Sequence, residues 1–102
     1  MAGSFELRFS PDHPTAAGHF PGRPIIPGAL LLDAVRHAIF GPAGDAGGCK
    51  MRSVKFLHPV RPGDAMRIDW REAGDETHFE CTILEIQKIA LTGSLSVDRD
   101  PG

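Results

Sequence analysis

Only one stretch of this chain reads as a helix, and it is apolar on nearly every side. Residues 28–40 include Ala29, Leu30, Leu31, Leu32, Ala34, Val35, Ala38, Ile39 and Phe40. The exceptions, Asp33, Arg36 and His37, fall at i, i+3 and i+4 and form one narrow polar stripe. A helix apolar on most faces is normally buried. Pro27-Gly28 suits its first turn, where a missing proline N–H costs nothing, and Gly41-Pro42 stops it.

The rest of the chain offers strands to bury that helix. Phe5, Leu7 and Phe9 alternate with Glu6, Arg8 and Ser10, the period of a half-buried strand. Residues 10–27 carry five prolines with Gly18 and Gly22 and read as a stiff loop. Residues 43–48 read as a flexible surface loop. Strands are expected near 49–58, 64–73, 76–86 and 88–98, with turns at Pro62-Gly63-Asp64 and Ala73-Gly74-Asp75. The connection around Ile86-Gln87-Lys88 has weak turn chemistry. One strand, a buried helix and a run of strands make an α+β domain, an antiparallel sheet curled over one long helix. At 102 residues the chain is read as one domain, 1–102, small enough that pairing with a second subunit is a natural source of burial.

Bulk properties exclude several function classes. A formal charge of −2 exerts no global pull on nucleic acid or anionic membrane. No apolar run is long enough for a membrane span. Met1-Ala2-Gly3-Ser4 leads straight into a strand without a secretory signal pattern. Cys49 and Cys81 form no CxxC pair or disulfide framework, which fits a reducing cytoplasm.

Chemistry concentrates in His19-Phe20-Pro21-Gly22-Arg23-Pro24-Ile25-Ile26-Pro27-Gly28 and the helix that follows. His19 sits in a stiffened loop as a candidate base, and Asp33, fourteen positions on, is a candidate acid. Gly28 offers a backbone N–H at the helix start. The bland alternatives are a loop histidine capping a turn, a solvated helix carboxylate, and a glycine that only permits the Pro-Gly corner. The apolar flanks of Asp33 argue against an exposed position, and burial would favour its protonated form, although Arg36 could counteract this. His37 either holds a water beside Asp33 or is a satisfied core histidine. His13, His58 and His78 read as surface or structural. No zinc-type ligand spacing joins His13, His19, Asp33 and His37. Cys81 reads as a small buried apolar residue. Lys50, Arg52 and Lys55, with Arg61 and Arg67, form either a solvated strand face or a basic docking patch.

These motifs resemble the beta-hydroxyacyl-ACP dehydratase family of hotdog-fold proteins. The family pattern is H-F-P-G-x-P, a P-G at the helix start and an acid fourteen positions after the histidine, all present here. Val54-Lys55-Phe56-Leu57-His58-Pro59-Val60-Arg61-Pro62-Gly63-Asp64 resembles its strand–turn signature. The likeness covers about residues 5–97. The acid is aspartate rather than the commonest glutamate, and His37 stands where many members have glutamine. With the short chain, these departures point to the small aryl-polyene-type dehydratases.

The resemblance implies removal of water from a 3-hydroxyacyl thioester to give the trans-2-enoyl thioester. His19 would be the base, Asp33 the acid or the holder of a water, and the Gly28 N–H the donor to the enolate oxygen. The backbone near Ile25 would orient the His19 ring, and Phe20, Ile25, Pro27 and His37 would contact substrate. No metal or cofactor is implied. The substrate would ride on an acyl carrier protein through phosphopantetheine. The site would lie across a homodimer, or a heterodimer with a related hotdog subunit, with His19 of one chain meeting Asp33 of the other. A non-catalytic acyl-binding subunit and a thioesterase on the same fold are the competing readings.

Overall fold

The computed structural model describes residues 2–11, 25–41 and 49–97. Strand β1 (Ala2–Arg8) comes first, then helix α1 (Gly28–Phe40) and four strands: β2 (Cys49–Phe56), β3 (Ala65–Ala73), β4 (Glu76–Ile83) and β5 (Lys88–Val97). They form one antiparallel sheet in the order β1-β3-β4-β5-β2. Strands β1 and β2 are therefore opposite edges, and the connection between them carries α1 across one face. This is the α+β architecture expected from a lone apolar helix.

The pairing registers place apolar residues in rows on the helix side. One row runs Phe5, Ile68, Cys81, Leu91 and Phe56 across all five strands. Another runs Gly3, Trp70, Phe79, Gly93 and Val54, where the two glycines leave room for the neighbouring rings. Met66, Ile68, Ile83, Leu91 and Leu95 are fully buried, and Leu31 and Val35 seal them from the helix. Each such side chain contributes roughly 1.5–3 kcal/mol by leaving water. The alternate row, Ser4, Asp69, Glu80, Thr92 and Lys55, faces outward.

Two irregularities reset the alternation. A bulge between Met51 and Val54 puts Lys50 and Lys55, an odd number of residues apart, on the same face, opposite Ser96 and Thr92. A second lies opposite Cys81 and Thr82, which pair with Leu91 and Ile89 and leave Ala90 as the extra residue. Strand β4 ends at Ile83 rather than near 86. Leu84 to Gln87 form the turn, with Gln87 at φ 53 and its side-chain amide donating to the Leu84 carbonyl at 2.8 Å. That local hydrogen bond supplies what the turn's sequence lacked. The turn before β3 is as expected: the Asp64 N–H donates to the Arg61 carbonyl, and the Arg61 N–H to the Asp64 carboxylate.

The helix spans the expected residues but is not buried all round. Only Leu31 and Val35 are fully buried, while Ala29 and Leu30 are exposed. A five-stranded sheet covers one side of a helix, so in a single chain the far side stays open. Phe5 on edge strand β1 is also about half exposed, at 49%.

Candidate active site

The start of α1 is fixed from a distance by the bulge in β5. The Ala90 carbonyl accepts both the Leu57 N–H at 2.7 Å and the His58 N–H at 3.2 Å. This turns the chain out of β2 and lays Pro59 and Val60 beside the segment before the helix. The Val60 carbonyl then accepts the Ile26 N–H at 2.7 Å. Pro27, extended at φ −60 and ψ 146, caps the helix, and its carbonyl accepts from Leu30 at 3.0 Å and Leu31 at 3.2 Å.

Among the described residues no side chain caps this end. Among the described residues the Gly28 and Ala29 N–H groups have no acceptor. They carry the positive end of the helix dipole. Gly28 borders a cavity of about 440 Å³ whose walls include Ile25, Leu31, Phe56, His58 and Val60. That volume suits a small ligand. The combination of apolar walls and unsatisfied donors suits a carbonyl oxygen that gains negative charge. A Cβ on Gly28 would come within 2.8 Å of Phe56 Cζ, so the ring and the helix backbone approach as closely as a glycine permits. A larger depression, about 1210 Å³, is lined by apolar residues such as Val54, Trp70 and Phe79 together with charged ones such as Arg52, Lys55, Asp69 and Glu80, and by none from α1.

Of the residues singled out in the sequence, Gly28 and Ile25 line the cavity, while Pro27 does not line it and instead caps the helix through its carbonyl. His19 and Phe20 lie outside the described residues, as do His13, Gly22 and the 43–48 loop. Asp33 differs from expectation. Its side chain is 52% exposed and does not line the cavity. Five residues turn a helix by about 140° from Gly28, so the sheet that covers one position leaves the other open. Asp33 lies 3.7 Å from His37 Nε2 and 3.9 Å from Arg36. His37 is thus an exposed companion of the carboxylate and not a core histidine. Its main-chain carbonyl accepts the Gly41 N–H at 2.8 Å, closing the helix.

The wall formed by Phe56 to Val60, at the exit of β2, was missed. Phe56 was read only as a strand residue, and His58 as surface or structural. The usable signal was Phe56-Leu57-His58-Pro59, where two large apolar residues run into a proline that cannot continue a strand interior.

The remaining candidates sort by their contacts. Arg67 is engaged with Asp69 at 2.9 Å, whereas Lys50, Arg52, Lys55 and Arg61 are exposed. Burial, then the nearby charges of Asp69 and Glu80, pushes the Cys81 thiol up to about 12, so it carries no thiolate at neutral pH. Among the described residues no three His, Cys, Asp or Glu side chains converge as metal ligands, and no helix is long and apolar enough to cross a membrane.

Comparison with known proteins adds a second line. The family model for ApeI-like proteins, described as ApeI dehydratase, matches residues 2–94. A FabZ 3-hydroxyacyl-(acyl-carrier-protein) dehydratase of Bordetella parapertussis is 31% identical over 94 residues, covering 78% of this chain and 60% of its own. The chain spans about half the length of the curated relatives it matches. Among solved structures, an uncharacterized Erwinia carotovora protein is 28% identical with a TM-score of 0.74, covering 95% of this chain and 82% of its own. The dehydratase heterocomplex ApeI:P from Xenorhabdus doucetiae is 22% identical with a TM-score of 0.73, covering 96% and 88%. The architecture is the hotdog fold.

Proposed function

The chain belongs to the ApeI-like dehydratase family, and from that premise we propose that it dehydrates 3-hydroxyacyl thioesters as a single hotdog domain over residues 1–102. The observation that carries this reading is the cavity at the start of α1, where the Gly28 N–H, without an acceptor among the described residues, meets apolar walls. Dehydration needs such a donor. When the C2 proton is removed, charge moves onto the thioester oxygen, and an N–H already in place stabilises it without reorganisation.

In the proposed reaction His19 takes the C2 proton. The C3–O bond then breaks, and the departing hydroxyl leaves as water with a proton from Asp33 or from a water that Asp33 and His37 hold. The product is the trans-2-enoyl thioester, and no redox cofactor or metal enters the balance. Phe20, Ile25 and Pro27 would shape the pocket around the thioester.

Gly28 and Asp33 face different ways in one chain, so a site using both would draw them from two chains. Each chain would lend its cavity to the Asp33 of its partner. The open side of α1, with Leu30 exposed at 37%, is compatible with such pairing. A homodimer is the simplest assembly. A heterodimer with a related hotdog subunit is the second reading, favoured by the Xenorhabdus doucetiae neighbour, which is itself described as a heterocomplex.

The substrate arm would be phosphopantetheine on an acyl carrier protein, as in the name of the FabZ relatives, and the compartment the cytoplasm. The test is hydration of a trans-2-enoyl thioester, followed as loss of enoyl absorbance, with free thiol measured in parallel. Absorbance loss without thiol release supports a dehydratase. Thiol release would make the protein a thioesterase, and neither signal would leave an acyl-binding subunit.

A further inference from the structure

His58 borders the same cavity as Gly28, and the mechanism above gives it no task. Its position is held by two contacts. The main-chain N–H is held by Ala90, and the ring Nδ1 lies 2.9 Å from the Pro59 carbonyl. A carbonyl can only accept, so Nδ1 carries the proton in this contact, and Nε2 of the neutral ring becomes an acceptor. Among the described residues Nε2 has no partner. The pocket therefore combines two kinds of polar group. The Gly28 N–H is a donor suited to a thioester oxygen, and the His58 ring is an acceptor suited to an N–H. Its other lining residues named above are apolar and cannot recognise an amide through their side chains.

We infer that His58 is a substrate-contacting residue that accepts an amide N–H from the thiol arm of the thioester, and so selects pantetheine-type thioesters over simple alkyl ones. The inference rests on the dehydratase reading for its substrate and deepens it. His58 would act in binding, outside the bond-breaking steps. A purely structural role, locking the turn through Pro59, would affect all thioesters alike.

Hydration kinetics with three trans-2-butenoyl thioesters separate these roles: those of pantetheine, of N-acetylcysteamine, and of 1-propanethiol, which has no amide. Replacing His58→Ala should raise KM for the two amide-bearing thioesters roughly threefold to tenfold, the range for one lost hydrogen bond. It should leave kcat and the propanethiol thioester nearly unchanged. His58→Gln, which keeps an acceptor, should recover most of the KM, and His58→Phe should not. An equal KM rise for all three thioesters, or no rise for any, overturns the inference while leaving the dehydratase reading intact. If the wild-type protein hydrates none of them, the dehydratase reading fails. Calorimetric binding of S-butylpantetheine then decides the role of His58. Weaker binding by His58→Ala supports it, and equal or absent binding overturns it.

Discussion

The ring of Phe56 rests against the backbone of Gly28, so closely that a Cβ there would sit 2.8 Å from Phe56 Cζ. The contact joins the end of β2 to the first residue of the helix. Gly28→Ala keeps the backbone N–H but drives the ring into the space over it. Overpacking in a closed core costs about 1–3 kcal/mol, and here Phe56 is 54% exposed and its ring can give way, so the cost falls at the low end. We expect a lower melting temperature and a large loss of enoyl-thioester hydration. Phe56→Leu in the same chain should return most of the melting temperature. If Gly28→Ala alone is as stable and active as the wild type, the close approach has no functional weight.

Placement of Gly28 and Asp33 on different sides of α1 predicts complementation. His19→Ala and Asp33→Asn should each lose activity by roughly 10²–10⁴-fold, the usual contribution of one acid or base. Mixed under conditions of subunit exchange, they form a dimer with one intact pair and one doubly defective pair. Activity should reappear on mixing. Proven exchange without recovery would place the pair within one chain.

The bulge in β2 gathers Lys50 and Lys55 on one face, while Arg67 is held by Asp69. Charge reversal at Lys50 or Lys55 should raise KM for an acyl carrier protein substrate and leave kcat nearly unchanged. Added salt should shrink the difference, because exposed charges act mainly on association and are screened. Arg67→Ala should change carrier kinetics little. Carrier kinetics insensitive to both lysine reversals would return these residues to an ordinary solvated face.

Glu85 provides a pH test of the fold. Its carboxylate accepts the Ala65 N–H at 3.1 Å and pairs with Arg8 at 3.0 Å, tying the β4–β5 turn to β3 and to β1. The Ala65 hydrogen bond foremost, then that from its own N–H, with Arg8 also contributing, lowers its pKa from the ordinary 4.5. The native state thus prefers the ionised form. The stabilisation is complete above about 4.5 and is lost as pH falls through the lower folded-state value. Glu85→Gln should therefore lower the melting temperature at pH 7 and converge with the wild type as the pH falls through the lowered folded-state value. A constant gap across that range would mean the charge contributes nothing.

The helix and the sheet were legible because their signals are strong and local. A single apolar run bounded by Pro27 and Gly41 has one reading, and β3 starts within a residue of where its turn predicts. What was not legible arises between distant residues. Nothing near Ala90 announces a bulge, because the extra residue is defined only against Thr82 and Cys81 on the neighbouring strand. The same holds for Lys50 and Lys55, which simple alternation puts on opposite faces. Apolar flanks suggested a sheltered Asp33, but they describe the helix's needs and not how much of it one sheet can cover. Gly28 could be chosen from the sequence because its role depends on the helix start. Phe56 and His58 reach the pocket only through a turn held by another strand.

The Ala90 bulge also sets what can vary in this chain and what cannot. The residue acts through its carbonyl, so many small side chains would serve in its place. Its being supernumerary is what matters. Deleting one residue there would straighten β5, leave the Leu57 and His58 amides without their shared acceptor, and release the wall that holds Ile26. Lineages of this protein should therefore keep the length of that strand even where its exposed residues vary, with selection acting on a residue count some sixty positions downstream of the helix start.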